Sequence, residues 1–148
     1  MPKSGPILII EDDLDDQEIL KEVFDALQVP NVLRFFATCN SALDYLHSTL
    51  ERPFLIISDI NLPAMTGIQL KKEINGNEVL SKKCIPFIFL STAQDEYFIS
   101  SAYEVQVQGY FVKPPRLIDL KLMMSHIVGY WKFSQNPGYP YAVMVSSK

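Results

Sequence analysis

Phe54-Leu55-Ile56-Ile57-Ser58-Asp59-Ile60-Asn61-Leu62-Pro63 decides how the rest of the chain reads. The apolar run Phe54, Leu55, Ile56, Ile57 has the pattern of a strand buried on both faces, as in the interior of a parallel sheet. It stops at a carboxylate. Asp59 therefore falls where a central strand emerges at its C-terminal end, the edge at which open α/β sheets place their ligands. Leu62-Pro63 prevents the strand from continuing, and Gly67 supplies a flexible position before the next helical pattern. Taken alone, an aspartate at this place also reads as a plain helix cap. The other strand ends bear on the choice.

Pro6-Ile7-Leu8-Ile9-Ile10 is a second apolar run, and it too ends in acid, at Glu11-Asp12-Asp13. Residues 14–28 switch to helical period, with Ile19, Leu20, Val23, Phe24 and Leu27 on one stripe. Asp13, Asp15 and Asp16 load the first turn of that helix and read as a solvated start that suits the helix dipole rather than as metal ligands. Residues 32–38 form a strand that Arg34 places near a sheet edge. Ala42, Leu43, Leu46 and Leu50 mark a second helix.

After Gly67, Ile68, Leu70, Lys71 and Ile74 predict a third helix that frays or ends at Asn75-Gly76-Asn77. Residues 86–90 form the fourth strand, ending at Ser91-Thr92-Ala93. A helix over 95–106 precedes a fifth strand, Gly109-Tyr110-Phe111-Val112, which ends at Lys113-Pro114-Pro115. The last helix runs over 117–131, with Leu117, Leu120, Met124, Ile127 and Trp131 as its inner stripe. Strict strand–helix alternation gives an α/β fold, a parallel sheet covered on both faces.

At 148 residues the chain is one domain with room for a real core. A net charge of −4 without a Lys/Arg cluster argues against a nucleic-acid surface. No apolar run approaches a signal peptide or a membrane span, so a cytoplasmic protein with no membrane contact is expected. Cys39 and Cys84 lack metal-ligand spacing and read as buried or half-buried free thiols. His47 and His126 fall on predicted helices away from the strand ends.

Glu11, Asp12, Asp59, Ser91 and Lys113 all lie at strand ends, and in a parallel sheet these ends share one edge. Three carboxylates packed together repel unless a divalent cation sits between them, and hard oxygen donors suit Mg²⁺. A lysine and a hydroxyl beside them supply the donors that phosphoryl oxygens require. An aspartate can itself be the nucleophile that accepts phosphoryl.

These residues, in this order, resemble the receiver domains of bacterial response regulators. The resemblance spans residues 6–132. It rests on the acidic pair Glu11-Asp12, on Asp59 followed by Asn61, Pro63 and Gly67, on Ser91, on Tyr110, and on Lys113-Pro114. It implies a doubly wound, flavodoxin-like (βα)5 fold with strand order 2-1-3-4-5. It implies Mg²⁺ held directly by Asp12, mostly through water by Glu11, and by Asp59 and the carbonyl of Asn61. It further implies phosphorylation of Asp59 by a sensor histidine kinase or phosphotransfer protein, with Lys113 on a phosphoryl oxygen. Ser91 and Tyr110 then act as the switch pair. Thr92 is a second hydroxyl able to fill the place of Ser91, although ungapped counting back from Lys113 favours Ser91. Glu11 departs from the commoner aspartate by one methylene.

Residues 133–148 read as a tail without an effector domain, so a stand-alone receiver signalling through protein contacts is expected. A phosphoryl shuttle in a multistep relay is the alternative. A phosphohydrolase using an aspartyl-phosphate would carry a second acid two residues after the nucleophile; Asn61 stands there, so self-catalysed phosphoryl transfer rather than enzymatic turnover is expected. A flavodoxin-like cofactor binder lacks its phosphate loop, since acids follow the first strand. Finally, with Phe98, Ala102 and Val105 turned inward, Ile99 and Tyr103 face outward. With Tyr110, Met123 and Tyr130 they are expected to form an interaction face, and a homodimer through it.

Overall fold

The computed structural model describes residues 2–136. Five parallel strands form one sheet in the order β2-β1-β3-β4-β5, with β1 Ile7–Ile10, β2 Leu33–Phe36, β3 Leu55–Ser58, β4 Phe87–Ser91 and β5 Gly109–Val112. The α-helices among the described residues are α1 Leu14–Ala26, α2 Cys39–Ser48, α3 Gly67–Gly76, α4 Glu78–Lys82, α5 Glu96–Glu104 and α6 Leu117–Phe133. This is the doubly wound α/β fold read from the alternation, and the strand order is the one the resemblance implied. No helix among the described residues is long and apolar enough to cross a membrane.

The strands sort as their composition requires. β1, β3 and β4 are buried along their whole length, whereas β2 and β5 are mostly half-buried because they form the two edges. Period-two alternation divides the core into two layers. Ile7, Ile9, Leu55, Ile57, Ile88 and Leu90 pack with α1 and α6, through Leu20, Val23, Phe24, Leu120, Met124 and Ile127. Leu8, Ile10, Ile56, Phe87 and Phe89 pack on the other side with residues of α2, α3, α4 and α5. Arg34 leaves the β2 edge as a two-point ion pair with Glu51, Nη2 to Oε2 at 2.7 Å and Nε to Oε1 at 3.1 Å.

Several side chains differ from the sequence reading. Leu117 and Ile19, expected on inner stripes, are exposed, and Leu50 lies beyond the end of α2 and is exposed as well. Cys39 is buried, but Cys84 is exposed. The short helix α4 had no sequence signal long enough to show; Asn77 both ends α3 and caps α4, its side chain accepting from Leu80 N. The tail expected over 133–148 lies, from residue 137, outside the described residues.

Lys71 was read as a helix former of unspecified face and is 7% exposed. Its Nζ donates to Asn75 Oδ1 at 2.9 Å and stands 5.9 Å from the centroid of the Phe87 ring. Among the described residues no carboxylate pairs with it. Burial holds its pKa below the ordinary lysine value. The unfolded chain then keeps this proton to higher pH than the folded one, so stability rises as pH climbs from the lowered folded value to the unfolded value near ~10.4. Lys71→Met is expected to stabilise the fold by roughly 1–2 kcal/mol at neutral pH. Urea melts should show that gain shrinking as the pH approaches about 10; a gain independent of pH would mean that packing, not charge, is responsible.

Candidate phosphoacceptor site at the C-terminal sheet edge

Chain geometry brings the polar strand ends together. Parallel pairing sets Ile10 beside Ser58 and Phe36, and Ser91 beside Val112. The hydrogen-bond ladder continues past the strands: Glu11 N donates to Phe36 O at 2.9 Å, Asp59 N to Ile10 O at 3.0 Å, and Lys113 N to Ser91 O at 2.9 Å. Glu11, Asp59, Ser91 and Lys113 are thus held on one edge by backbone bonds before any side chain contributes.

Glu11 is 4% exposed. Its Oε1 accepts from Lys113 Nζ at 3.2 Å and its Oε2 from Asp13 N at 3.2 Å. Burial still raises its pKa above the usual carboxylate value despite Lys113, and Asp59 pushes the same way. Asp12, next along, is exposed. Burial works against the Lys113 ammonium, but Glu11, Asp16 and Asp59 outweigh it and raise its pKa.

Asp59 is half-buried. Its Oδ1 accepts from Ile60 N at 2.7 Å, and its carbonyl accepts from Ser58 Oγ at 2.7 Å. Asn61 is exposed on the loop that follows. That loop closes through Gly67 N donating to Ile60 O at 2.9 Å, and Ala64 in its middle takes a left-handed φ of 65°. Gly67 was read as a flexible joint. Its φ is not left-handed, and its role is close approach: an added Cβ would stand 2.3 Å from Asp59 O and 2.7 Å from Phe89 Cε1.

Ser91 is 1% exposed and its Oγ accepts from Ala93 N at 3.2 Å. Thr92 is exposed instead, lining a groove with Lys113, Pro114 and Leu117. The Tyr110 hydroxyl donates to Ala93 O at 2.6 Å, and its ring lies 6.2 Å from that of Phe89. Burial raises the phenol's pKa, with the Ser91 hydroxyl opposing. Both switch candidates thus grip one loop residue, Ala93.

Two participants were missed in the sequence. Ala93 takes part through its backbone, which carries no residue signal. Asp16, read as a solvated helix start, meets Lys113 Nζ at 3.4 Å. A helical side chain leans toward its helix N-terminus, and for α1 that end lies at this sheet edge. Asp13 is the N-cap, its side chain accepting from Asp15 N at 2.8 Å and Asp16 N at 3.2 Å; Asp15 is exposed.

The donors Glu11, Asp12, Asp59 and the Asn61 carbonyl fit a hard divalent cation in kind. Among the described residues, however, no three acidic, histidine or cysteine side chains are drawn close enough to form a ready-made metal cage.

The family model described as the response regulator receiver domain matches residues 7–125. The chain belongs to this family. Response regulator Rcp1 of Synechocystis sp. is 31% identical over 130 residues, covering 84% of this chain and 87% of Rcp1. The probable methanogenesis regulatory protein FilR2 of Methanothrix harundinacea is 28% identical over 137 residues, covering 89% and 87%. The crystal structure of Rcp1 in a Mn²⁺-bound form matches this receiver with a TM-score of 0.78 at 28% identity, over 90% of this chain and 99% of that one. That of the phosphorylated cyanobacterial phytochrome response regulator RcpA matches with 0.79 at 27% identity, over 89% and 96%. The receiver is thereby a module of two-component signalling.

The residues expected to form an interaction face are spread around the β5 edge. Tyr103 and Tyr130 are exposed at 54% and 67%, and Ile99 is half-buried. Tyr97, not singled out in the sequence, is more exposed than either. Tyr110 packs against the layer containing α5, whereas Met123 is half-buried against the layer of α1 and α6. Met123 therefore contributes little free surface. Beside β5, Gln108, Phe111, His126, Ile127, Tyr130 and Trp131 line a cavity of about 300 Å³.

Proposed function

We propose that this receiver, as the unit 6–132, accepts a phosphoryl group on Asp59 from the phosphohistidine of a sensor kinase or phosphotransfer protein. It then signals from the cytoplasm through phosphorylation-dependent protein contacts. The observation that carries the reading is the meeting of Glu11, Asp59, Ser91 and Lys113 on one sheet edge, with Lys113 Nζ 3.2 Å from Glu11. The Mn²⁺ described for Rcp1 and the phosphorylation described for RcpA support it.

Asp59 Oδ1 is engaged by Ile60 N, which leaves Oδ2 to attack phosphorus as the donor's P–N bond breaks. Glu11, Asp12, Asp59 and the Asn61 carbonyl would hold Mg²⁺, which when bound supplies positive charge for the phosphoryl oxygens. Lys113 turns from Glu11 to one such oxygen. The Ser91 hydroxyl, whose oxygen accepts from the Ala93 amide at rest, donates its proton to another, and Tyr110, tied to the carbonyl of Ala93, moves with the loop. The chain is a substrate of its own phosphoryl transfer rather than an enzyme acting on others. Acetyl phosphate with Mg²⁺ is expected to add one phosphoryl group, read by intact mass; no addition from acetyl phosphate or from any phosphohistidine donor would refute the reading.

Output is expected through a homodimer at the β5 edge. Tyr103 is central to the exposed part of this face, and aromatic residues are enriched at such contacts. Tyr103→Glu should weaken phosphorylation-dependent dimerisation about tenfold or more and leave uptake at Asp59 unchanged. Sedimentation velocity with and without beryllofluoride tests it, and a wild type monomeric in both states removes the homodimer.

A further inference from the structure

We propose that Asp16 is a positioning residue that holds Lys113 at rest and sets how readily the lysine turns to a phosphoryl group on Asp59. The inference rests on Asp59 being the phosphoacceptor, and goes beyond it in naming what Lys113 must leave.

Lys113 Nζ is shared between Glu11 Oε1 at 3.2 Å and Asp16 Oδ2 at 3.4 Å, and makes no hydrogen bond to Asp59. The ammonium is well sheltered, its side chain 16% exposed, while Glu11 and Asp16 stand at 5% and 37%. The backbone that carries Asp16 is held in place. Its backbone N–H is fixed by the Asp13 cap, and the same turn is tied to the end of β1 by Gln17 Nε2 donating to Glu11 O at 2.6 Å. The first turn of α1 thus delivers one carboxylate, and only that one of Asp13, Asp15 and Asp16, to the lysine.

The arrangement is a competition. In the resting site Glu11 and Asp16 divide the ammonium between them. A phosphoryl group brings about −2 charge to Asp59, and a cation beside Glu11 weakens that carboxylate's claim on the lysine. Asp16 lies on the α1 side of the lysine, its carboxylate makes no other hydrogen bond or ion pair among the described residues, and it is the residue left opposing the turn. Removing its charge should free Lys113 without removing any group that touches the phosphoryl.

Asp16→Asn is expected to tighten beryllofluoride binding at saturating Mg²⁺ by about two- to fivefold, the range of a partly exposed ion pair. It should quicken phosphorylation by acetyl phosphate by a similar factor. Asp15→Asn removes the same charge from the same turn without a lysine contact and should change neither. Asp16→Glu should return the affinity toward wild type. In a Lys113→Met background Asp16→Asn should have no effect, which separates action through the lysine from a general gain in stability. Beryllofluoride affinity by calorimetry, beside urea melts of each variant, reads all of this. A wild type that binds beryllofluoride while Asp16→Asn matches Asp15→Asn, or binds more weakly, overturns the role of Asp16 alone. A wild type that takes up neither beryllofluoride nor phosphoryl overturns the Asp59 reading and this inference with it.

Discussion

Asp59→Asn is expected to lose phosphoryl uptake from acetyl phosphate completely while keeping its fold. The amide has no carboxylate lone pair to offer phosphorus, and no neighbouring group replaces it. Glu11 is buried and already engaged by Lys113 and Asp13 N, and Asp12 lies outside on the exposed chain. The Asn side chain keeps an oxygen for Ile60 N, so the 2.7 Å bond that orients residue 59 survives. Stability should hold or rise slightly, because Asp59 is one of the causes of the raised Glu11 pKa. Removing it lets Glu11 ionise more easily beside Lys113. Intact mass after acetyl phosphate and Mg²⁺, with a urea melt of the same sample, measures both. Retained label in Asp59→Asn would move the phosphoacceptor elsewhere.

Gly67→Ala should be the most damaging small substitution near the site. The new methyl would meet Asp59 O at 2.3 Å, Phe89 Cε1 at 2.7 Å and Ser58 Oγ at 3.1 Å. The first of these is backbone and cannot swing away, so either α3 or the end of β3 must shift. Overpacking of this kind costs about 3 kcal/mol, and the shift displaces Asp59 itself. Gly129→Ala is the control. It lies inside α6 with nothing within 4 Å of the added atom, and alanine in a helix interior gains about 0.5–1 kcal/mol over glycine. Paired urea melts should move in opposite directions, and uptake of phosphoryl should fall only in Gly67→Ala. A Gly67→Ala protein as stable and as active as wild type would show that the loop between β3 and α3 yields without cost.

Lys113 and the acids were legible because their positions follow from backbone order alone. An apolar run long enough for a buried strand, repeated with helical period between, admits few arrangements other than a parallel sheet. Once the strands are parallel, whatever follows Ile10, Ser58, Leu90 and Val112 must meet at one edge. One edge strand declared itself too, through Arg34 in β2.

Side-chain placement was a different matter. Helical period told that Asp13, Asp15 and Asp16 start α1, but not that Asp13 spends its carboxylate on capping while Asp16 leans over the sheet to Lys113. It placed Lys71 on a helix without saying that the helix would bury it. It flagged Gly67 for freedom, whereas the cause is the absence of a Cβ where α3 passes the carbonyl of Asp59. Leu117 and Ile19 matched an inner stripe and came out exposed, since a stripe gives a direction and not the width of the neighbour that covers it. Composition and order along the chain therefore determined the sheet and that Glu11, Asp59, Ser91 and Lys113 would share its C-terminal edge. Only the packed structure decided that Glu11 and Asp16 share the lysine and that Ala93 holds both Ser91 and Tyr110. The contacts of Lys113 with Glu11 and Asp16, and of Tyr110 with Ala93, join residues distant in the chain over about 3 Å, a distance set by how the elements seat on one another and not by any local preference.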